Sequence, residues 1–371
     1  MTAPSRVVIA AGGTGGHFYP GFVLAQTLRE RGWQPVMLVR TGDPALPRLE
    51  AAGLPAVELD LQGLSRRPGP GWAVFLWKQL RAERLAGRIL RDFGPRVVVG
   101  MGGYVTFPAA AAARLRRVPC AVHESNAVLG LANRAAMALG AKLLRGMPAS
   151  GGQPAGLLTG TPVRPALWTQ SPAAAARLKL GLAAETTTVL IFGGSQGARG
   201  LNERAPQALA TAARSMREGL QVLHLAGTKE ASVVAAAYAQ AAPGLHAKVL
   251  PYLNAMEDAY AAADLVVCRS GASTAAELAS LRKPAVLVPF PRATAHHQDA
   301  NAALLAAAGA ARVAPESEPG SLAAALEDLL SSTGAAERRR GMSLAYDRLG
   351  LPSGEEAVRR LADAVEGMAR P

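Results

Sequence analysis

Hydrophobic positions gather in short β-like runs, each followed by a longer stretch with helical spacing. In the first half, runs at 7–10, 36–39, 97–100 and 121–123 predict strands, with helices expected over 20–31, 72–92 and 106–115. The second half repeats the alternation, with strands at 189–192, 222–226, 265–267 and 285–288 and helices such as 202–214 and 301–308. Strands and helices alternating in this way build βαβ units around a parallel sheet. The expected fold class is therefore α/β, with two Rossmann-like domains separated by a cleft. Residues 160–165, Gly-Thr-Pro-Val-Arg-Pro, carry two prolines that hold the chain extended, which sets the domains at 1–163 and 164–345. Ser353-Gly354-Glu355-Glu356 has capping-box spacing and opens an amphipathic helix that runs to about residue 370. The closing segment, 346–371, could belong to either domain, and packing back on the N-terminal one is expected.

Composition narrows this picture. With 371 residues the chain has room for two α/β units, and 50% hydrophobic residues against 5% aromatic suit helices packed on parallel strands. Cys120 and Cys268 stand at the ends of apolar runs, where a small buried side chain fits, and imply neither a disulfide framework nor a zinc site. The N-terminus leads straight into a strand without the apolar stretch of a signal peptide, and no uncharged run approaches the roughly 20 residues that span a bilayer. A cytoplasmic location is expected. The net charge is +13 and uneven: residues 1–163 hold 19 Lys+Arg against 8 Asp+Glu, the rest 21 against 19. An anionic partner therefore meets the basic first half, and nucleic acid, anionic lipid and a phosphorylated substrate all satisfy the charge alone.

Each half opens with a strand, a glycine-rich loop and a helix: Ala11-Gly12-Gly13-Thr14-Gly15-Gly16-His17 in the first, Gly193-Gly194-Ser195-Gln196-Gly197-Ala198-Arg199 in the second. Glycines let the backbone approach oxygen atoms closely, and the unpaired N–H groups at a helix start favour negative charge, so phosphate is the natural ligand of both. The alternative is a tight βα turn with no ligand. The first loop lacks the third glycine of the dinucleotide fingerprint, and the next strand ends in Arg40 rather than a ribose-binding acid. Neither loop holds the Lys-Ser/Thr pair of a P-loop.

Three further segments complete a set: Gly100-Met101-Gly102-Gly103-Tyr104-Val105, His123-Glu124-Ser125-Asn126, and Val267-Cys268-Arg269-Ser270-Gly271-Ala272-Ser273-Thr274-Ala275-Ala276-Glu277. Together with the two glycine loops, Pro162-Val163-Arg164 and Gln298-Asp299-Ala300-Asn301-Ala302, they closely resemble the MurG family, bacterial UDP-N-acetylglucosamine transferases of the GT-B type that convert lipid I to lipid II. The resemblance runs in order from Val7 to about Ala302 and spans both halves. Departures are Thr161 for the family's Asn, Ser125 for Gln and His297 for a second Gln.

The resemblance implies an inverting transfer of N-acetylglucosamine from UDP-GlcNAc to the 4-hydroxyl of the MurNAc of lipid I. Ser195 and its neighbouring amides would hold the diphosphate, with a charge-assisted contact from Arg164, and Leu253 would meet uracil through its backbone. Ala272, Ser273 and Thr274 would line the same helix start, and Glu277 would accept the ribose hydroxyls. Thr274 and Glu277 also have capping-box spacing, so Glu277 could instead cap its own helix. Gln298 would read the sugar hydroxyls, since an amide offers both donor and acceptor; otherwise it is an exposed helical residue. Asn126 would touch sugar or acceptor, or serve as an N-cap. Thr14, Gly15 and Gly16 would cradle the acceptor pyrophosphate or the donor sugar. His17 could take the proton of the attacking hydroxyl, with Glu124 as the rival base. No Asp-x-Asp element occurs, so no metal-ligand pair is evident and no cofactor is expected.

Between Trp72 and Phe93, Lys78, Arg81, Arg84, Arg88 and Arg91 recur every three or four residues, with Trp72, Phe75, Leu76 and Trp77 at the start. Such a stripe suits peripheral contact with an anionic membrane surface at the cytoplasmic face of the plasma membrane, or is an ordinary solvated face. Two rival functions stand beside the transferase. A UDP-sugar epimerase can share the fold, but the segments at 100–105 and 123–126 argue against it. A nucleic-acid module would show basic clusters interleaved with stacking aromatics on strands, a zinc spacing or a recognition module, none of which the sequence shows, so no nucleic-acid partner is expected.

Overall fold

A computed structural model describes residues 4–13, 15–62, 71–149, 151–194, 197–216, 219–293 and 296–369. The chain divides into two compact units, Met1–Pro165 with Pro352–Pro371, and Ala166–Leu351. The division falls beyond the connector prolines, so Arg164 belongs to the first unit rather than opening the second.

In the first unit the elements run β1 (Arg6–Ala10), α1 (Gly15–Glu30), β2 (Gln34–Arg40), α2 (Leu46–Ala51), β3 (Ala56–Leu59), α3 (Gly71–Phe93), β4 (Val97–Gly100), α4 (Thr106–Leu115), β5 (Cys120–Glu124), α5 (Leu131–Ala138), β6 (Lys142–Arg145) and β7 (Leu157–Leu158). The strands form one sheet in the order β3-β2-β1-β4-β5-β6-β7, with the pairs parallel throughout. Val7, Ile9, Val97 and Val99 face one core, Val8, Ala10 and Val98 the other. Period-two alternation within runs that are apolar on both faces is what a sheet covered on each side requires.

The second unit runs α6 (Ala173–Lys179), β8 (Thr187–Phe192), α7 (Arg199–Ser215), β9 (Leu220–Leu225), α8 (Ala231–Ala241), β10 (His246–Leu250), α9 (Met256–Ala262), β11 (Leu265–Cys268), α10 (Ala272–Leu281), β12 (Ala285–Leu287), α11 (His297–Ala307), β13 (Ala311–Val313), α12 (Ser321–Leu326) and α13 (Ala335–Ala345). Its sheet order is β10-β9-β8-β11-β12-β13, again parallel. Each sheet grows through three strands in one direction and then crosses back to the other side of its first strand, so the strand order reverses between β1 and β4 and between β8 and β11. That switch point leaves a crevice at the strand C-termini where ligands bind in open α/β sheets.

The last helix, α14 (Gly354–Met368), returns to the first unit. Leu361, Ala362 and Val365 join the core beside α1. Trp33 Nε1 donates to Glu366 at 3.0 Å, and Arg31 pairs with Asp363 and Glu366. Ser353 caps the helix by accepting from the Glu356 N–H, while the Glu356 carboxylate turns to Arg359 and Arg360. In α1 the helix begins at Gly15, five residues before the proline taken as its start. Pro20 sits in the second turn, and His17 therefore lies on the helix rather than in the loop.

Candidate functional site

At the switch point of the first unit, the β1–α1 turn is held by a residue the sequence reading passed over. Gly13, with φ +86°, donates its N–H to Asp43 Oδ2 at 2.6 Å. Asp43 is buried, and its other oxygen accepts from the Ala45 N–H, a local Asx turn. The amide of Gly13 is thus committed to a carboxylate and withdrawn from any phosphate. The expectation of a cradle narrows to Gly15 and Gly16, which open α1; Thr14 lies outside the described residues.

His17 packs its imidazole on the β4–α4 turn. A Cβ added at Gly102 would come within 2.8 Å of the ring, and one at Gly103 within 3.3 Å, while both glycines have positive φ. Only glycine fits either position. Buried Thr106 pins this turn by accepting from the Gly102 N–H and donating to the Gly102 carbonyl, each at 2.9 Å. Arg164 and Arg48 both set their guanidinium groups over the Tyr19 ring, at 5.4 and 5.1 Å.

Glu124 ends β5 and is 2% exposed. Its Oε1 accepts from the N–H and Nδ2 of Asn126, both at 3.0 Å, and its Oε2 from the Gly130 N–H at 2.8 Å and Asn133 Nδ2 at 2.9 Å. Four donors fill the carboxylate's acceptor positions, which makes it an anchor for the loop at 125–130 and leaves no lone pair aimed at a substrate hydroxyl. Asn126 is no N-cap, because α5 begins at Leu131 with Gly130 as its cap. Buried Arg145 grips the same loop from the other side, donating to the carbonyls of Ala127 and Met147. Neighbouring His123 is buried, and burial pushes its pKa down. As a neutral ring it donates from Nε2 to the Gly160 carbonyl at 2.9 Å and accepts from Ser125 Oγ at Nδ1.

In the second unit the β8–α7 loop folds tightly on itself. A Cβ at Gly193 would strike Ala198, and one at Gly197 would strike the Ala226 carbonyl at 2.3 Å. Ser195 lies outside the described residues. Asn202, on the first turn of α7, donates to the Ala226 carbonyl and to Glu230, and pairs with His224 Nε2. Burial holds the His224 pKa down to about 3, so the ring is neutral and tethers α7 to β9. Leu253 sits half-buried in the loop between β10 and α9.

The start of α10 decides one open choice. The helix begins at Ala272 with Gly271 as N-cap and no side-chain cap hydrogen bond, so Thr274 is an interior residue and Glu277 is not its capping partner. Instead Glu277 Oε2 accepts from the hydroxyl of buried Tyr260 at 2.7 Å. The first-turn amides of Ala272, Ser273 and Thr274 are left open, and Ser273 Oγ is buried without a hydrogen-bond partner among the described residues. Ser270 Oγ donates to the Gln298 carbonyl at 2.8 Å, and Asn301 Nδ2 to the Ser270 carbonyl, which staples the starts of α10 and α11 together. Gln298 is half-buried rather than exposed, and its Oε1 accepts from the Phe290 N–H at 2.8 Å. One lone pair of the amide is therefore spent on the protein, and its NH2 is the end left for a ligand.

Residues 7–142 match the glycosyltransferase family 28 N-terminal domain and residues 188–348 the family 28 C-terminal domain. The chain belongs to glycosyltransferase family 28. A relative from Halorhodospira halophila, named UDP-N-acetylglucosamine–N-acetylmuramyl-(pentapeptide) pyrophosphoryl-undecaprenol N-acetylglucosamine transferase, is 41% identical over 98% of this chain and 94% of its own. One of the same name from Alkalilimnicola ehrlichii is 40% identical over 97% and 98%. The crystal structure of Acinetobacter baumannii MurG superimposes with a TM-score of 0.79 at 30% identity, covering 98% of this chain and all of that one. A kitacinnamycin glycosyltransferase structure at 17% identity and TM-score 0.68 shares the fold. The two Rossmann-type units of this family 28 member are thus those of the GT-B fold.

Proposed function

We propose that this chain transfers N-acetylglucosamine from UDP-GlcNAc to the 4-hydroxyl of the MurNAc unit of lipid I, making lipid II for peptidoglycan synthesis, the reaction for which its relatives are named. The observation that carries the donor half is the start of α10, with open first-turn amides and Glu277 held one turn further on by Tyr260. Amides at a helix start suit a diphosphate, and a carboxylate with a fixed orientation suits two vicinal ribose hydroxyls. Leu253 takes uracil through its backbone, and the loop at 193–199, with Ser195, takes the diphosphate.

In the reaction the acceptor oxygen forms a bond to the anomeric carbon as the bond to UDP breaks, giving inversion. The hydroxyl proton passes to the imidazole of His17, and UDP leaves with the electron pair. Fixed amide dipoles at the α10 start stabilise the charge that grows on the departing diphosphate. Transfer of labelled N-acetylglucosamine from UDP-GlcNAc to a lipid I analogue, with chelator present and UDP-glucose as control donor, tests this. Product from UDP-GlcNAc alone is expected. UDP binding without product would overturn the acceptor assignment and leave an epimerase or a transferase with another acceptor.

The acceptor's lipid calls for a peripheral membrane surface on the first unit, and α3 supplies it. Among the described residues no helix is long and apolar enough to cross a membrane. Helix α3 buries Gln79, Ala82, Ala86 and Leu90, while Trp72, Leu76, Trp77 and Leu80 stand 40–59% exposed. Arg81 lies over Trp77 at 5.4 Å, with Arg84, Arg88 and Arg91 exposed along the same face. Lys78 departs from the stripe read in the sequence: it is turned away to pair with Asp60 at 2.7 Å. Apolar and basic side chains together on one outward face fit the headgroup region of an anionic leaflet. Replacing Arg81, Arg84 and Arg88 by alanine should weaken binding to anionic vesicles roughly a hundredfold, at about 1 kcal/mol per charge, and spare turnover of a soluble acceptor analogue. Equal vesicle binding would return the stripe to a solvated face.

A further inference from the structure

Arg269 stands two residues before the N-cap of α10 and has not yet been given a role. An arginine beside a helix start that takes a diphosphate invites assignment as a phosphate ligand, but the side chain is committed elsewhere. It is 7% exposed. Its Nη1 donates to the carbonyls of Val288 and Pro289 at 3.0 and 3.1 Å, and its plane lies over the Phe290 ring at 5.3 Å. Nη2 lies 2.6 Å from Glu316 Oε1, a charge contact outside hydrogen-bond alignment. Glu316 in turn abuts Gly200 on the first turn of α7, where an added Cβ would meet its carboxylate at 2.3 Å.

We infer that Arg269 is a positioning residue for sugar recognition, acting through the segment 288–290 on Gln298. This inference rests on the reading of Gln298 as the residue that contacts the donor sugar. The segment held by the guanidinium fork presents the Phe290 N–H to Gln298 Oε1. An N–H can only donate, so the amide oxygen is fixed and the NH2 is aimed the other way. Once the fork is lost, the two carbonyls lose their donor, the Phe290 N–H shifts, and the amide is free to rotate and exchange donor for acceptor. A guanidinium is needed, because Nη1 donates to both carbonyls while Nη2 stays beside Glu316, and a lysine's single ammonium can hold only one of those two positions.

The test measures kcat and KM for UDP-GlcNAc and for UDP-N-acetylgalactosamine, which differs in the configuration of one hydroxyl, together with UDP affinity at two salt concentrations. The variants are Arg269→Lys, Glu316→Gln and Gln298→Ala. Arg269→Lys should leave UDP affinity within about twofold and lower donor discrimination about tenfold, in the same direction as Gln298→Ala. Glu316→Gln, which loosens the fork without removing it, should give a smaller loss of the same kind, and it serves if the lysine variant does not fold. A tenfold or greater, salt-dependent loss of UDP affinity in Arg269→Lys would mark a phosphate ligand and overturn the inference. So would discrimination that changes in Gln298→Ala but in neither of the other two. Unchanged discrimination in Gln298→Ala would instead remove the sugar-reading role itself, and the inference with it.

Discussion

Replacing Glu124 with alanine should cost the first unit several kcal/mol, at about 1–3 kcal/mol for each buried donor left without its acceptor, and should abolish measurable transfer. The carboxylate takes donors from Asn126, Gly130 and Asn133, and without it four N–H groups in a buried loop lose their acceptor. Arg145, which holds the Ala127 carbonyl, would lose the nearby negative charge as well. The informative variant is Glu124→Gln. It has the same shape, but its NH2 must face donors on one side, so an anchoring role predicts a lowered melting temperature and lost turnover together. If Glu124 were the base, the glutamine variant would melt like the parent and lose only the rate. Calorimetric melting and single-turnover transfer, measured on both variants, separate the two outcomes.

The parts of this site that could be read in the sequence are those whose chemistry is local. A glycine loop between an apolar strand and a helix announces itself within ten residues, and both such loops stand at the switch points of their sheets. Strands β3, β6, β7, β10 and β13 are not legible in the sequence because they are short and carry charged or half-exposed residues, as Lys142 and Arg145 in β6 and His246 and Lys248 in β10 show. The supporting residues went unread for another reason: their partners are distant in sequence. Asp43 serves Gly13, Tyr260 serves Glu277, Arg145 serves Ala127, and His224 serves Asn202. No spacing rule links members of such pairs; the sheet brings them together. Asp43 had a weak local signal in its Asx turn, but nothing in Gly-Asp-Pro shows that its second oxygen reaches back to the β1–α1 loop. Whether Glu277 caps its own helix turns on where α10 begins, and sequence places helix ends to no better than a few residues.

Changing His17 to alanine should lower kcat between a hundredfold and ten-thousandfold, the range for removal of a general base, while UDP affinity stays unchanged, because the contacts proposed for UDP, on α10, at Leu253 and in the loop at 193–199, all lie in the second unit. Geometry offers a second route to the same ring. Gly102 has φ +93° and lies so close to the imidazole that an added Cβ would come within 2.8 Å of it. Gly102→Ala should therefore displace the ring without altering its chemistry, and the loss of kcat should approach that of the alanine variant at 17. Thr106, which pins the turn through both backbone groups of Gly102, limits how far the loop can yield. Should His17→Ala retain a tenth or more of the parent's kcat, the imidazole would be a packing group for the β4–α4 turn, and the proton would leave by way of water or the acceptor itself.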